Sequence, residues 1–315
     1  QGLGRALRPR GEARAGPGQL LGEQFMRVAL AVLAIAISPS TYGVDVGRIL
    51  DFGRKAAEIA PKLQEATREY TVDEEVALGD GLASGFLGAV RLHQDDRLQR
   101  YVNRVGRWRA MQSERADLPW TFGVIDSETI NAFAMPGGTV IVSHGLVKRL
   151  TSESELAGVL AHEIAHVVMK HQLSAIRSGA WGDVSASVGK ELLASKVGRG
   201  GDFMDLRSKA MNAGVELVKD GVFLRPLDRS MEYDADRMGV VIATRGGYDP
   251  YGLVAVLTML AQVKPDEAGA SILFSTHPSP MERLAELERV VPEALEQYAR
   301  QPQVEGRFRQ AIGAK

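Results

Sequence analysis

The stretch Leu160-Ala161-His162-Glu163-Ile164-Ala165-His166 decides how the rest of this chain is read. Ser152-Glu153-Ser154-Glu155 ahead of it is a helix-capping signal, and Leu156, Val159, Leu160, Ile164, Val167 and Val168 supply an apolar body. The sequence therefore predicts a helix from Ser152 to about His171. Side chains four apart lie one turn above each other on one helix face, so the imidazoles of His162 and His166 can converge on one metal ion. Glu163 lies one residue past His162, where its carboxylate reaches a metal-bound water without ligating the metal. Such an arrangement lowers the pKa of water towards ~7 and supplies a general base beside it.

A catalytic zinc ordinarily takes three protein ligands and leaves one position for water. The chain has no cysteine and only six histidines, so the third ligand is His, Asp or Glu. Met231-Glu232-Tyr233-Asp234-Ala235-Asp236-Arg237 opens a second helical pattern, and Glu232 and Asp236 are four apart on one face. One of the two can ligate zinc while the other accepts a hydrogen bond from a ligand histidine and fixes its tautomer. Two histidines and a carboxylate suit zinc best, at one ion per chain.

Further out, Trp120 to Ile125 alternates as a strand does. Ala132-Phe133-Ala134, the turn Pro136-Gly137-Gly138 and Thr139 to Ser143 predict a hairpin beside it. Helical patterns cover residues 44–70, 73–115, 231–245, 251–263 and 280–300, and Gly198-Arg199-Gly200-Gly201 marks a loop within 172–229. The expected fold class is α+β: a mainly helical metallopeptidase domain of zincin type, with a small β-sheet beside the zinc-binding helix.

The motif His162-Glu163-Ile164-Ala165-His166 followed by Glu232-Tyr233-Asp234-Ala235-Asp236-Arg237-Met238-Gly239 resembles the CAAX prenyl protease/HtpX family of gluzincin metallopeptidases. So do the run from Asn131 through Pro136-Gly137-Gly138 to Leu146 and the run Thr276-His277-Pro278-Ser279-Pro280-Met281-Glu282-Arg283-Leu284. The resemblance spans about residues 72–290, with these motifs in family order. It implies His162, His166 and Glu232 as zinc ligands, Glu163 as general base and Asp236 as the group behind a ligand. Many members carry a hydrophobic hairpin after the zinc helix; here residues 172–229 are charged throughout, as in a soluble, exported bacterial branch. His144 stands where the family more often has a basic residue.

Several residues carry two readings. His277, in a rigid Thr-His-Pro-Ser-Pro turn, is expected near the metal, as a fourth ligand that holds the enzyme latent or as a stabiliser of the oxyanion. Arg283 can pair with the site carboxylates or the oxyanion, or simply be solvated. Asn131 and the strand of Thr139, Val140, Ile141 and Val142 are expected as the substrate platform, because a free strand edge lets an extended peptide add as another strand. His171 is expected to end the zinc helix, where a cation is favourable without any function. His93 has no assigned role.

The N-terminus carries an address. Residues 1–25 read as a disordered extension. Met26-Arg27, the apolar run Val28 to Ile37 and the small residues to Gly43 then form a secretory signal peptide over 26–43, with Met26 as the true start. The alternatives are a membrane anchor through residues 28–37 and a mitochondrial transit peptide over the Arg-rich residues 1–27. The expected division continues with an N-terminal helix at 44–71, the peptidase domain at 72–300 and a tail at 301–315. The stretch Thr129 to Val147 is uncharged apart from His144, but its central Pro-Gly-Gly turn excludes a membrane helix.

With 38 basic and 39 acidic residues the net charge is −1, which excludes the electrostatic footprint of a nucleic-acid binder. The sequence thus points to an exported, periplasmic zinc endopeptidase in protein quality control. Its expected partners are unfolded or misassembled proteins, with peripheral association to membrane or envelope complexes. The competing reading is a chaperone-like or scaffolding protein with a latent zinc site; the intact Glu163 argues against pure binding.

Overall fold

The structure, a computed structural model, describes residues 69–178, 227–264, 267, 277–290 and 293–313. The expected extension, signal peptide and N-terminal helix, and the glycine loop at 198–201, lie outside the described residues. Everything described below belongs to the unit formed by residues 70–315. No described helix is long and apolar enough to cross a membrane.

Helix α1 (Val72–Ala89) opens with a capping box, in which Thr71 and Glu74 satisfy each other's backbone N–H. Helix α2 (Asp96–Ala110) follows after a break at residues 90–95, where the sequence had predicted continuous helix. The break has a purpose in the packing, since Leu92 bridges to Ile125 at the end of the first strand.

Strands β1 (Thr121–Ile125), β2 (Ala132–Ala134) and β3 (Thr139–Ser143) form one sheet in the order β1-β3-β2. β1 runs parallel to β3 and pairs Ile125 with Ser143; β2 runs antiparallel and pairs Ala132 with Val142. Between β2 and β3 the turn at Pro136–Gly138 has Gly137 at φ 77, a left-handed conformation that glycine adopts without a Cβ penalty. The alternation of β3 is fully used. Val140 and Val142 enter the main core, while Ile141 packs with Leu78, Leu82 and Phe86 of α1 on the other face.

The short helix α3 (His144–Val147) leads to α4 (Glu153–Val168), whose N-cap Ser152 accepts from the Glu155 N–H. α4 is buried almost along its whole length, with Leu156, Leu160, Ile164 and Ala165 fully inside. It ends earlier than predicted. Lys170 takes φ 58, and a separate helix α5 (His171–Ser178) begins at the residue expected to end the first. Helices α6 (Arg229–Arg245) and α7 (Gly252–Ala261) pack against α4.

Helix α8 (Pro280–Val290) stops ten residues short of the predicted end, and a 3₁₀ turn at Glu293–Tyr298 follows; Pro292 in the sequence cannot continue a helix interior. Residues expected as a tail carry helix α9 (Glu305–Ile312), whose Phe308 is fully buried against the main core.

Candidate metal centre

The site forms where α4 and α6 cross closely. Gly239 lies against the backbone of His162, and a Cβ there would stand 3.0 Å from the His162 Cα and N. That approach brings the residues one and two turns earlier on the same face of α6, Asp236 and Glu232, within reach of the two histidines. Glu232 and Asp236 are themselves 0% and 1% exposed.

The Nε2 atoms of His162 and His166 lie 3.1 Å apart. Glu232 faces both, with Oε2 at 3.6 Å from His162 Nε2 and Oε1 at 3.5 Å from His166 Nε2. Ligand atoms around a tetrahedral ion with bonds of 2.0–2.2 Å are separated by roughly 3.3–3.6 Å, which the two histidine–Glu232 separations match and the histidine pair reaches by opening slightly, so this donor set fits zinc. Glu232 Oε1 is buried and has no hydrogen-bond partner among the described residues. Such an orphaned carboxylate oxygen is expensive in a protein interior unless a cation completes it.

Each histidine is held from behind by its other nitrogen. His162 Nδ1 lies 2.9 Å from Asp236 Oδ1, and Arg283 pins Asp236 in turn through Nε at 2.8 Å and Nη2. His166 Nδ1 lies 2.9 Å from Nδ1 of His171, which is buried. His171 therefore starts α5 from behind a candidate ligand, and the expectation of a merely favourable cation at a helix end is corrected. The reason is the turn at Met169-Lys170, which folds His171 back onto α4.

The electrostatics favour a cation. Burial and Arg283 push the His162 pKa down, yet Asp236 and Glu232 outweigh them and lift it to about 9. Burial alone would raise Glu232; His277, His162 and His166 hold it well below the usual carboxylate range instead. Burial drives His166 well down, leaving it neutral and ready to ligate. Burial pushes the Glu163 carboxyl up, opposed by His162 and His277.

Glu163 lines an apolar cleft together with His162, His277, Arg283 and Asn131. Ile130, Leu146, Val159, Leu253, Val256 and Leu257 make its walls. His277 Nδ1 reaches Glu232 Oε2 at 2.8 Å, so the structure gathers His162, Glu232 and His277 around one point.

Another sequence expectation is corrected. Thr139, Val140, Ile141 and Val142 belong to the central strand, paired on both sides and buried from Val140 to Val142, so they present no free edge. The strand nearest the cleft is β2: Asn131 and Ala132 line it, and the Asn131 carboxamide oxygen has no partner among the described residues. The order of three short strands is a non-local property that alternation cannot encode.

Residues 93–291 match the model of Peptidase family M48. The beta-barrel assembly-enhancing protease of Escherichia coli (strain K12) is 29% identical over 247 residues, covering 76% of this chain and 49% of its own length. Its Yersinia pestis namesake is 28% identical over 238 residues, covering 73% and 47%. Mitochondrial metalloendopeptidase OMA1 of Schizosaccharomyces pombe is 33% identical over 194 residues, covering 62% and 53%. The chain thus spans about half the length of the curated relatives it matches.

Proposed function

The chain belongs to Peptidase family M48, and from that premise we propose that it is a zinc endopeptidase acting on unfolded or misassembled proteins of the cell envelope. The observation that supports this most is the convergence of His162, His166 and an orphaned Glu232 oxygen beside a buried Glu163. Held by those three residues, zinc would supply Lewis acidity that polarises the scissile carbonyl and acidifies water. Glu163 takes the proton of the attacking water and delivers it to the leaving amine nitrogen. Asp236, braced by Arg283, keeps the His162 ring oriented with its Nε2 towards the ligand position.

Substrate backbone docks along β2, with the Asn131 carboxamide as a hydrogen-bonding partner, and the aliphatic cleft takes an apolar side chain next to the scissile bond. His277 rests on Glu232 and holds the site latent until substrate or a partner moves it.

The envelope setting is supported by the names of the Escherichia coli and Yersinia pestis relatives, which speak of β-barrel assembly. The same names and the signal-like residues 26–43 support an exported, periplasmic location with peripheral association to envelope complexes.

Degradation of casein, abolished by a chelator and restored by zinc, tests the peptidase reading. A protein that suppresses aggregation of an unfolded client but never shortens it supports the chaperone-like alternative instead.

A further inference from the structure

A second group of metal-ligating side chains lies outside the cleft. His93 precedes α2, Asp126 follows β1 and His144 begins α3. The parallel register pairs Ile125 with Ser143, which sets Asp126 beside His144 at the same end of the sheet. Main-chain hydrogen bonds fix the frame: His93 N–H donates to Val124 O at 3.0 Å, Asp126 N–H to Arg91 O at 2.8 Å and Gly145 N–H to Ser127 O at 2.8 Å.

The two imidazoles stack with centroids 3.9 Å apart, and His93 Nδ1 lies 3.3 Å from Asp126 Oδ1. One ligand atom from each of the three residues falls within 4.8 Å of the others. Both histidine side chains are 22% exposed and Asp126 is 55% exposed, so an ion could enter from solvent and keep water in its open positions. Glu128 stands behind, 4.0 Å from His144 Nδ1 and itself paired with Lys148.

We infer that His93, Asp126 and His144 form a second metal site, for a borderline-soft divalent transition ion such as Zn²⁺, Ni²⁺ or Cu²⁺. The donor set decides the class. Two imidazoles and one carboxylate favour these ions over Ca²⁺ or Mg²⁺, which want an oxygen shell. Ligand atoms around zinc sit roughly 3.3–3.6 Å apart, so the three groups need to close by no more than about 1 Å. Side-chain rotation supplies that, because the frame is already hydrogen-bonded. None of the three lines the cleft, so this ion is distinct from the one held by α4 and α6.

The test uses the full chain carrying one zinc, titrated calorimetrically with Zn²⁺ and counted for metal after dialysis against micromolar free zinc. Wild type should take up a second equivalent. The double variant His93→Asn/His144→Asn should lose that equivalent while keeping the first and its wild-type melting curve. Each single variant, and Glu128→Gln, should weaken the second event about tenfold. Glu232→Gln should do the reverse, losing the first equivalent and keeping the second, which separates failure here from failure of the peptidase site. Uptake of a single equivalent by wild type, or retention of the second by the double variant, would overturn the inference.

Discussion

His277 Nδ1 lies 2.8 Å from Glu232 Oε2, on the carboxylate whose other oxygen faces His166 Nε2 at 3.5 Å. One histidine just before α8 thus lies on a proposed zinc ligand and lines the cleft beside it. A hydrogen bond to a charged group is worth about 1.5–3 kcal/mol. Removing it should free the site, and His277→Ala is expected to raise casein cleavage by roughly tenfold. Unchanged activity in that variant would remove His277 from the account.

Asp236 accepts from His162 on one side and from Arg283 on the other. Asp236→Asn keeps the shape but loses the charge that fixes the tautomer of His162. Zinc affinity, measured by competition with a chromogenic chelator, should fall about 10- to 100-fold. An affinity within a factor of two of wild type would contradict this role.

His171 stands in the same relation to His166. His171→Ala should weaken zinc binding by about tenfold in the same competition, with helix content preserved. Partial recovery in His171→Gln, which restores a hydrogen-bonding group, distinguishes orientation of the ring from simple packing. If alanine and glutamine bind zinc alike, packing suffices.

Glu153, at the start of α4, is buried among Tyr101, Tyr248 and Arg307. Burial raises its pKa, but the hydrogen bonds from Arg307, Tyr101 and Tyr248 prevail and hold it below the ordinary range of a glutamate. A depressed folded pKa gives stability that is present above the unfolded value and is lost as pH falls through the folded one. The melting temperature of wild type should therefore exceed that of Glu153→Gln at neutral pH. The gap should narrow steadily below about pH 4.5. A gap independent of pH would show that the carboxylate charge contributes nothing.

Much of this centre was legible because its geometry is written in local spacing. His162 and His166 are four apart on a helix, as are Glu232 and Asp236, and the absence of cysteine narrowed the third ligand to few residue types. The choice of Glu232 over Asp236 came from family resemblance, since spacing treats them alike. Gly239 was invisible for the opposite reason. Its role is to let α6 touch the backbone of His162, a tertiary demand that the sequence shows only as one glycine in a helix. His171 was misread because nothing around Met169-Lys170 signals a break; Lys170 takes its left-handed backbone without glycine or proline nearby. That Thr139 to Val142 lack a free edge was not legible, because pairing order is a non-local property, whereas the alternation of Val140, Ile141 and Val142 reports only burial.

The most direct test compares wild type and Glu163→Gln for zinc content and casein cleavage side by side. One zinc retained per α4 site in both proteins, with cleavage confined to wild type and falling by about a thousandfold or more in the variant, is the predicted result. Equal cleavage by the two proteins, or a zinc-loaded wild type that never cuts even with His277 replaced, would contradict the assignment of Glu163 as the base of a working peptidase.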